Sequence, residues 1–263
     1  MRFLVPRGLH INPTKSFAFA MVPSRDGKVK VDTSHTFSVG GVSLPTSDTD
    51  SVWRYLGLQF TAMGRQALPL EKELKELLER VSNAPLKPQQ RLVIVRFYLL
   101  PRLLHGLVLG PWSHKLLLRL DKLIRSAMRK QLALPYDAPM AHFHVDLNDS
   151  GLGVPSLRTC IPGMQLSRLK FGKLSGSSHP ACRASLNTRL IKHLLQKAKT
   201  ACEYQGKELF TTRAVSCFWA ESLHQSVDGA ALKECKEVPY AQNWVRDGTP
   251  LLSGKQFIDL EKL

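Results

Sequence analysis

Apolar positions follow two different rhythms along this chain. Up to residue 62 they come in short runs, at 16–22, 28–31, 35–39 and 55–60, which alternate or cluster β-branched and aromatic residues. Turn formers at 23–27 and at Gly40 and Gly41 separate the runs, and the pattern predicts β-hairpins. From Pro69 the period becomes helical. Leu70, Leu74, Leu77, Leu78 and Val81 share one face, with Pro69 expected in the first turn and Glu71, Glu73 and Glu76 near the positive helix end. A second helix is predicted from Pro88 to about Leu109. It is apolar almost all round and therefore expected to be buried, with a kink where Pro101 removes a backbone donor.

A third helix is predicted after Ser113 as N-cap. Leu116, Leu117, Leu120, Leu123, Ile124, Ala127 and Met128 fill one side of it, and Lys115, Arg119, Lys122, Arg129 and Lys130 gather on the other. The three helices are expected to form a bundle ending near residues 134–135. A loop-rich stretch, 138–157, leads to a helical segment that stops at Ser175-Gly176-Ser177-Ser178, where a boundary is placed. Beyond it, Leu186, Leu190, Ile191, Leu194, Leu195 and Ala198 mark an amphipathic helix reaching about Tyr204. A segment at 212–225 and a last helix capped by Ser253 follow. That helix reaches Leu263 without a C-cap, so the chain is expected to be a piece of a longer protein. The fold class is α+β: a β-hairpin region at 1–62, a helical region at 63–175 and a second helical region at 176–263.

Charge sharpens this picture. Residues 80–202 carry 20 Lys and Arg against four acids, Asp121, Asp137, Asp146 and Asp149, and the rest of the 263-residue chain is balanced at 17 of each. One basic region between neutral ends implies a single surface built to meet a polyanion, with nucleic acid the leading partner. Acids are nearly absent around the third helix, so Lys115, Arg119, Lys122 and Arg129 are expected to remain unneutralised and to bind phosphates, with Lys130 beside them. Arg91, Arg96 and Arg102 lie on a more apolar helix, where snorkelling and template contact are both open readings. The five cysteines, Cys160, Cys182, Cys202, Cys217 and Cys235, lack any C-x-x-C pair and read as buried hydrophobes in a reducing compartment. Arg96, Arg102 and Pro101 interrupt the longest apolar run, and a central Arg costs roughly 3 kcal/mol in a bilayer, so no membrane partner is expected. His142 and His144, with Asp146, have a spacing that could hold a metal but read as an ordinary H-x-H. Gly151 and Gly153 read as a turn, and Trp53, Trp112, Trp219 and Trp244 as core or interface anchors.

Two motifs identify a family. Gly8-Leu9-His10-Ile11-Asn12-Pro13-Thr14-Lys15-Ser16 is followed about forty residues later by Trp53-Arg54-Tyr55-Leu56-Gly57-Leu58-Gln59-Phe60. In that order they resemble the end of the palm in reverse transcriptases of non-LTR retrotransposons, and residues 35–44 are similar to the family's intervening hairpin. Arg91, Arg96, Tyr98, Leu99, Pro101, Arg102 and His105 resemble the thumb helix of the site-specific branch whose members insert into ribosomal RNA genes. Gly151-Leu152-Gly153-Val154-Pro155-Ser156-Leu157 and the stretch from Trp244 to Gly254 are similar to that branch's thumb end and linker. Where the family often has two glycines before Leu152, this chain has Ser150-Gly151.

The resemblance implies a distal palm at 1–62, a thumb at 63–175 and a linker at 176–263. It further implies a role for Lys15 near the incoming nucleotide's leaving group, and a primer grip at Tyr55, Leu56 and Gly57. Partners would be RNA template, DNA primer or target, and RNA/DNA hybrid, with nuclear localisation and Mg2+ in the intact enzyme. The family's catalytic carboxylates, including a Tyr-x-Asp-Asp strand, stand ahead of the position of Met1. Asp26, Asp32, Asp48 and Asp50 are scattered through turns, so this chain is expected to hold no metal of its own and to contribute gripping rather than chemistry. The rival readings are a stand-alone basic nucleic-acid-binding protein derived from such an element, and a basic structural protein of a ribonucleoprotein.

Overall fold

A computed structural model describes residues 11–24, 26, 29–55, 57–175, 189–235, 238 and 252–261. Packing divides the chain into two units, Met1–Leu68 and Pro69–Leu263. The expected boundary at Ser175-Gly176 adjoins a stretch outside the described residues, and Gly8, Leu9, His10, Leu56, Cys182, Leu186 and Trp244 lie outside them too.

The first unit is a set of antiparallel strand pairs. β1 (Ala20–Pro23) pairs with β2 (Val29–Asp32), and β3 (Phe37–Val39) with β4 (Val42–Leu44). β5 (Trp53–Tyr55), β6 (Leu58–Thr61) and β7 (Gly64–Arg65) form a three-stranded sheet. Gly40 and Gly41 have φ of 59° and 82°, which suits a two-residue hairpin turn because positive φ at both centres matches the right-handed twist of the strands. The apolar run 55–60 is not one strand. Tyr55 pairs with Leu58 across a turn in which Gly57 has φ 82°, so the family's Y-L-G sequence marks a reversal and glycine answers a backbone demand. Phe17 and Phe19 stack on Trp53, at centroid distances of 4.7 and 5.4 Å.

The second unit is helical. α1 (Leu70–Asn83) buries Leu70, Leu74 and Leu78, with Pro69 just outside the helix as its N-cap residue. α2 runs from Pro88 to Leu109. Ahead of Pro101 it widens into a π turn, Val95–Leu99, where the Leu100 N–H bonds back to the Val95 carbonyl. The wider turn gives the prolyl ring room that a regular turn denies it. This helix is long and apolar enough to cross a membrane by length and composition, yet Leu92, Val95, Leu99, Leu100, Leu103 and Leu107 are buried inside the unit. It is not covered all round as expected, because Val93, Phe97 and Tyr98 face outward.

α3 (His114–Leu132) begins at Ser113, whose Oγ accepts from the Leu116 N–H at 3.2 Å, and its stripe of Leu117, Leu120, Ile124 and Met128 is buried. α4 (Met140–His144), α5 (Leu157–Ser175), α6 (Arg189–Ala201), a small hairpin of β8 (Glu203–Tyr204) and β9 (Lys207–Glu208), α7 (Thr212–His224), α8 (Ala230–Cys235) and α9 (Gly254–Glu261) complete the unit. Leu166 of α5 shares a core with Ala198 of α6, and Ala141 of α4 shares one with Phe218 and Trp219 of α7. α9 is capped as expected: Ser253 Oγ accepts from the Gln256 N–H, and Gln256 Oε1 accepts from the Ser253 N–H. Its Phe257 is fully buried. Trp112 and Trp219 are buried anchors, whereas Cys217 is exposed rather than core, because it falls on the solvent side of α7. Burial pushes the Cys160 thiol up to about 11.

Candidate nucleic-acid interface

Lys115, Arg119 and Lys122 follow the i, i+4, i+7 spacing of one helix face, and all three are exposed. Lys115 and Lys122 take part in none of the ion pairs among the described residues. Arg119 does not stand unneutralised. Its Nη2 lies 3.4 Å from Glu71 Oε2 of α1, a pair in which both side chains are largely solvated and which is weak for that reason. The count of acids along α3 missed this partner because it comes from a different helix, brought close by the packing of α1 against α3.

Arg129 is a fuller correction. Its Nη2 donates to the Ala138 carbonyl at 3.1 Å, and its guanidinium lies 5.0 Å from the Phe143 ring centroid. It fastens the chain after α3 and is not a free phosphate ligand. Lys130 is exposed and lies about 20° around the helix from Arg119, three turns further on, at the edge of the same basic side.

The arginines of α2 sort likewise. Arg91 Nη2 donates to the Ala84 carbonyl at 3.1 Å, closing the turn between α1 and α2. Arg96 Nε donates to the Gly153 carbonyl at 3.1 Å, and burial lowers the pKa of its guanidinium, against the opposing charge of Asp146. Both are internal fasteners. Arg102 remains outward, 67% exposed, with Glu73 at 3.4 Å.

What holds these helices in place is a buried polar hub that the sequence reading missed. Asp121 of α3 is 2% exposed, and its carboxylate accepts from Ser156 Oγ at 2.8 Å, the Leu157 N–H at 2.7 Å and the Arg158 N–H at 3.0 Å. It thus caps α5 from another helix, where orphan donors and the helix dipole both favour an anion. Arg158 then reaches the carbonyls of Ala201 and Glu203, fastening the end of α6. The signal was present: Leu117, Asp121, Ile124 and Met128 share one face, and an acid in an apolar stripe demands partners.

His144 belongs to the same region. Arg125 Nη1 donates to its Nε2 at 3.3 Å, so its Nδ1 carries the proton donated to the Val154 carbonyl at 2.9 Å. Burial, first, and the nearby Arg125 charge lower its pKa, while Asp121 and the Val154 carbonyl oppose them. Asp146 spends its carboxylate on the Asn148 N–H. The turn expected at Gly151 and Gly153 is present. A side chain at Gly151 would collide with the Val145 backbone, and Gly153 has φ 62°. Ser150, where the family often has glycine, adopts φ 64°.

In the first unit, Lys15 is exposed and ends a 3-10 turn, Pro13–Lys15, while Tyr55 is 63% exposed at the hairpin. Asp32 accepts from the Ser34 N–H and Oγ, which hold its carboxyl below the usual range, and pairs with His35. Asp48 accepts from the Thr49 N–H. Among the described residues no group of three His, Cys, Asp or Glu side chains could hold a metal. The carboxylates here do not fit the Mg2+ that the family resemblance implies, and no chemical step is assigned through it.

No protein-family model matches the chain. Curated relatives do. The chain is 35% identical over 98% of its length to the retrovirus-related Pol polyprotein from the type-2 retrotransposable element R2DM of Drosophila melanogaster. It is 32% identical over 93% of its length to the Pol polyprotein of the R2 element of Nasonia vitripennis, and 31% identical over 99% to one from Popillia japonica. It spans 24%, 22% and 53% of those three proteins respectively. With such similarity running through both units, the chain belongs to the R2-type, non-LTR retrotransposable-element Pol polyproteins, and corresponds to one stretch of them.

Proposed function

We propose that this chain supplies the distal palm, thumb and linker of an RNA-directed DNA polymerase, and that its share is to grip template and primer rather than to react. In this reading residues 1–62 are the end of the palm, 63–175 the thumb and 176–263 the linker. Tyr55 and Gly57, both exposed, lie against the primer together with Leu56, and Lys15 faces the leaving group of the incoming nucleotide. Lys115, Arg119 and Lys122 form the phosphate-binding face, with Arg102 and Lys130 at its margins. Arg91, Arg96 and Arg129 serve it indirectly, by fixing helices. The Mg2+ chemistry belongs to a part of the polyprotein that carries clustered carboxylates. Nuclear residence follows from the same reading, since the target would be chromosomal DNA.

The observation that carries the proposal is the exposed Lys115, Arg119 and Lys122 face in a chain similar over nearly its whole length to R2 Pol polyproteins. Phosphate binding releases counterions, so affinity for RNA/DNA hybrid should fall steeply with salt. Replacing all three with Gln keeps helix propensity and the packed face. The variant is expected to melt like the parent, to bind hybrid more weakly whatever its sequence, and to show a log-log salt slope reduced by roughly 0.9 for each phosphate no longer neutralised on a B-form duplex. Parental affinity and slope in the variant would refute the assignment.

A further inference from the structure

The outward face of α2 is built from unexpected residues. Phe97 and Tyr98 are 59% and 70% exposed, and both lie in the π turn ahead of Pro101. Besides making room for Pro101, a single wide turn of this kind is a feature found frequently at functional sites. Nor is Phe97 loosely held. The Arg96 guanidinium carbon lies 4.9 Å from its ring centroid, and Arg96 is tied to the Gly153 carbonyl. A Cβ on Gly153 would stand 2.7 Å from Arg96 Nη2, so the absence of a side chain there lets the guanidinium lie against Phe97. A half-buried, hydrogen-bonded cation thus backs a ring that is otherwise open to solvent.

Charge points to the partner. From residue 80 to residue 120 the chain has seven Lys and Arg and no acid, and Glu73, reaching Arg102 from α1, is the acid paired on this helix among the described residues. An apolar protein partner would have to bury those cations, at a cost that hydrogen bonding alone rarely offsets. An anionic strand whose bases present π faces complements both the charge and the rings. Inside a duplex the base faces are stacked on one another, so a ring meets one only at an unpaired nucleotide or a strand end.

We propose that Phe97 and Tyr98 are a stacking platform for unpaired nucleotides, with Arg96 and Gly153 holding the first ring in position. The inference rests on the nucleic-acid-binding reading above and adds an interaction of different chemistry, one that displaces no counterions.

The test uses the full chain, a short labelled oligothymidylate and a blunt DNA duplex, with binding followed by fluorescence anisotropy across a salt series. In Phe97→Leu/Tyr98→Leu, single-strand affinity should fall by roughly tenfold or more, as expected for losing stacked bases. The salt slope and the duplex affinity should stay at parental values, and Phe97→Tyr/Tyr98→Phe should bind like the parent. Tyr98→Leu alone, at the more exposed ring, keeps the test valid if the double variant disturbs the π turn. Parental single-strand affinity in the leucine variants overturns the proposal, as does an equal loss on duplex or a loss accompanied by a lower salt slope. A parent that binds neither probe overturns the broader nucleic-acid reading instead.

Discussion

The two units hide their apolar residues to very different degrees. In Met1–Leu68 only Leu58 and Ala62 are buried among the described residues, and Phe17, Met21, Val42, Val52 and Met63 stay largely exposed. In Pro69–Leu263 whole helical faces vanish from solvent, and a buried carboxylate, an imidazole and two arginines tie four helices together. Strands of two to four residues joined in pairs cannot enclose a core, because each pair has one face too many. Helices of up to 22 residues can. The first unit is therefore ordered by turns and ring pairs, and the second by a packed interior whose polar interactions decide which charges remain for a ligand.

The sharpest way to break that comparison is to remove the hub. Asp121→Ala strands two backbone donors and a hydroxyl in a buried site, and should cost about 3 kcal/mol or more. The matching change in the first unit, Phe17→Ala, removes a ring that is 38% exposed, and should leave the main urea transition where it was. Equal shifts in the two variants would show that the units do not differ as described.

Acid should separate the units next. The pKa values of His144 and His114 are lowered from the usual 6.5, in both cases chiefly by burial. The unfolded chain therefore takes up protons at higher pH than the folded one, so the stabilisation is complete above about pH 6.5 and is lost as pH falls through the folded values. Protonated His144 would also turn an N–H against the Arg125 guanidinium while Asp121 and the Val154 carbonyl attract it. Melting temperature is expected to drop below pH 6.5 in the parent, and to drop less in His114→Gln/His144→Gln. The same dependence in both proteins would remove the histidines from the explanation.

The smallest effect sharpens the picture of the helical unit alone. Ala133, after the last turn of α3, holds φ 50° and ψ 35° while its N–H bonds to the Arg129 carbonyl. Helices commonly end on glycine in this conformation. Ala133→Gly should stabilise the protein by about 1 kcal/mol, seen as a higher urea midpoint with unchanged slope. A lower midpoint would mean that strain at this cap is not the limiting factor.

Much was legible in the order of residues. Period changes placed the hairpins and helices, Ser113 and Ser253 announced their helices, and glycines marked turns at Gly40 and Gly41. These features depend on neighbours a few positions apart, and the family resemblance was carried by local motifs as well. Which cations face solvent was not legible. Arg119 meets Glu71, Arg102 meets Glu73 and Arg96 meets Gly153 only because distant segments pack together, and Arg129 meets Ala138 because the chain folds back after α3. Counting charges along the chain fixed the sign of the surface, since net charge does not depend on folding. That Lys115, Arg119 and Lys122 stay exposed while Arg91, Arg96 and Arg129 do not was decided by tertiary packing, because a guanidinium withdrawn from water must find acceptors wherever the fold provides them.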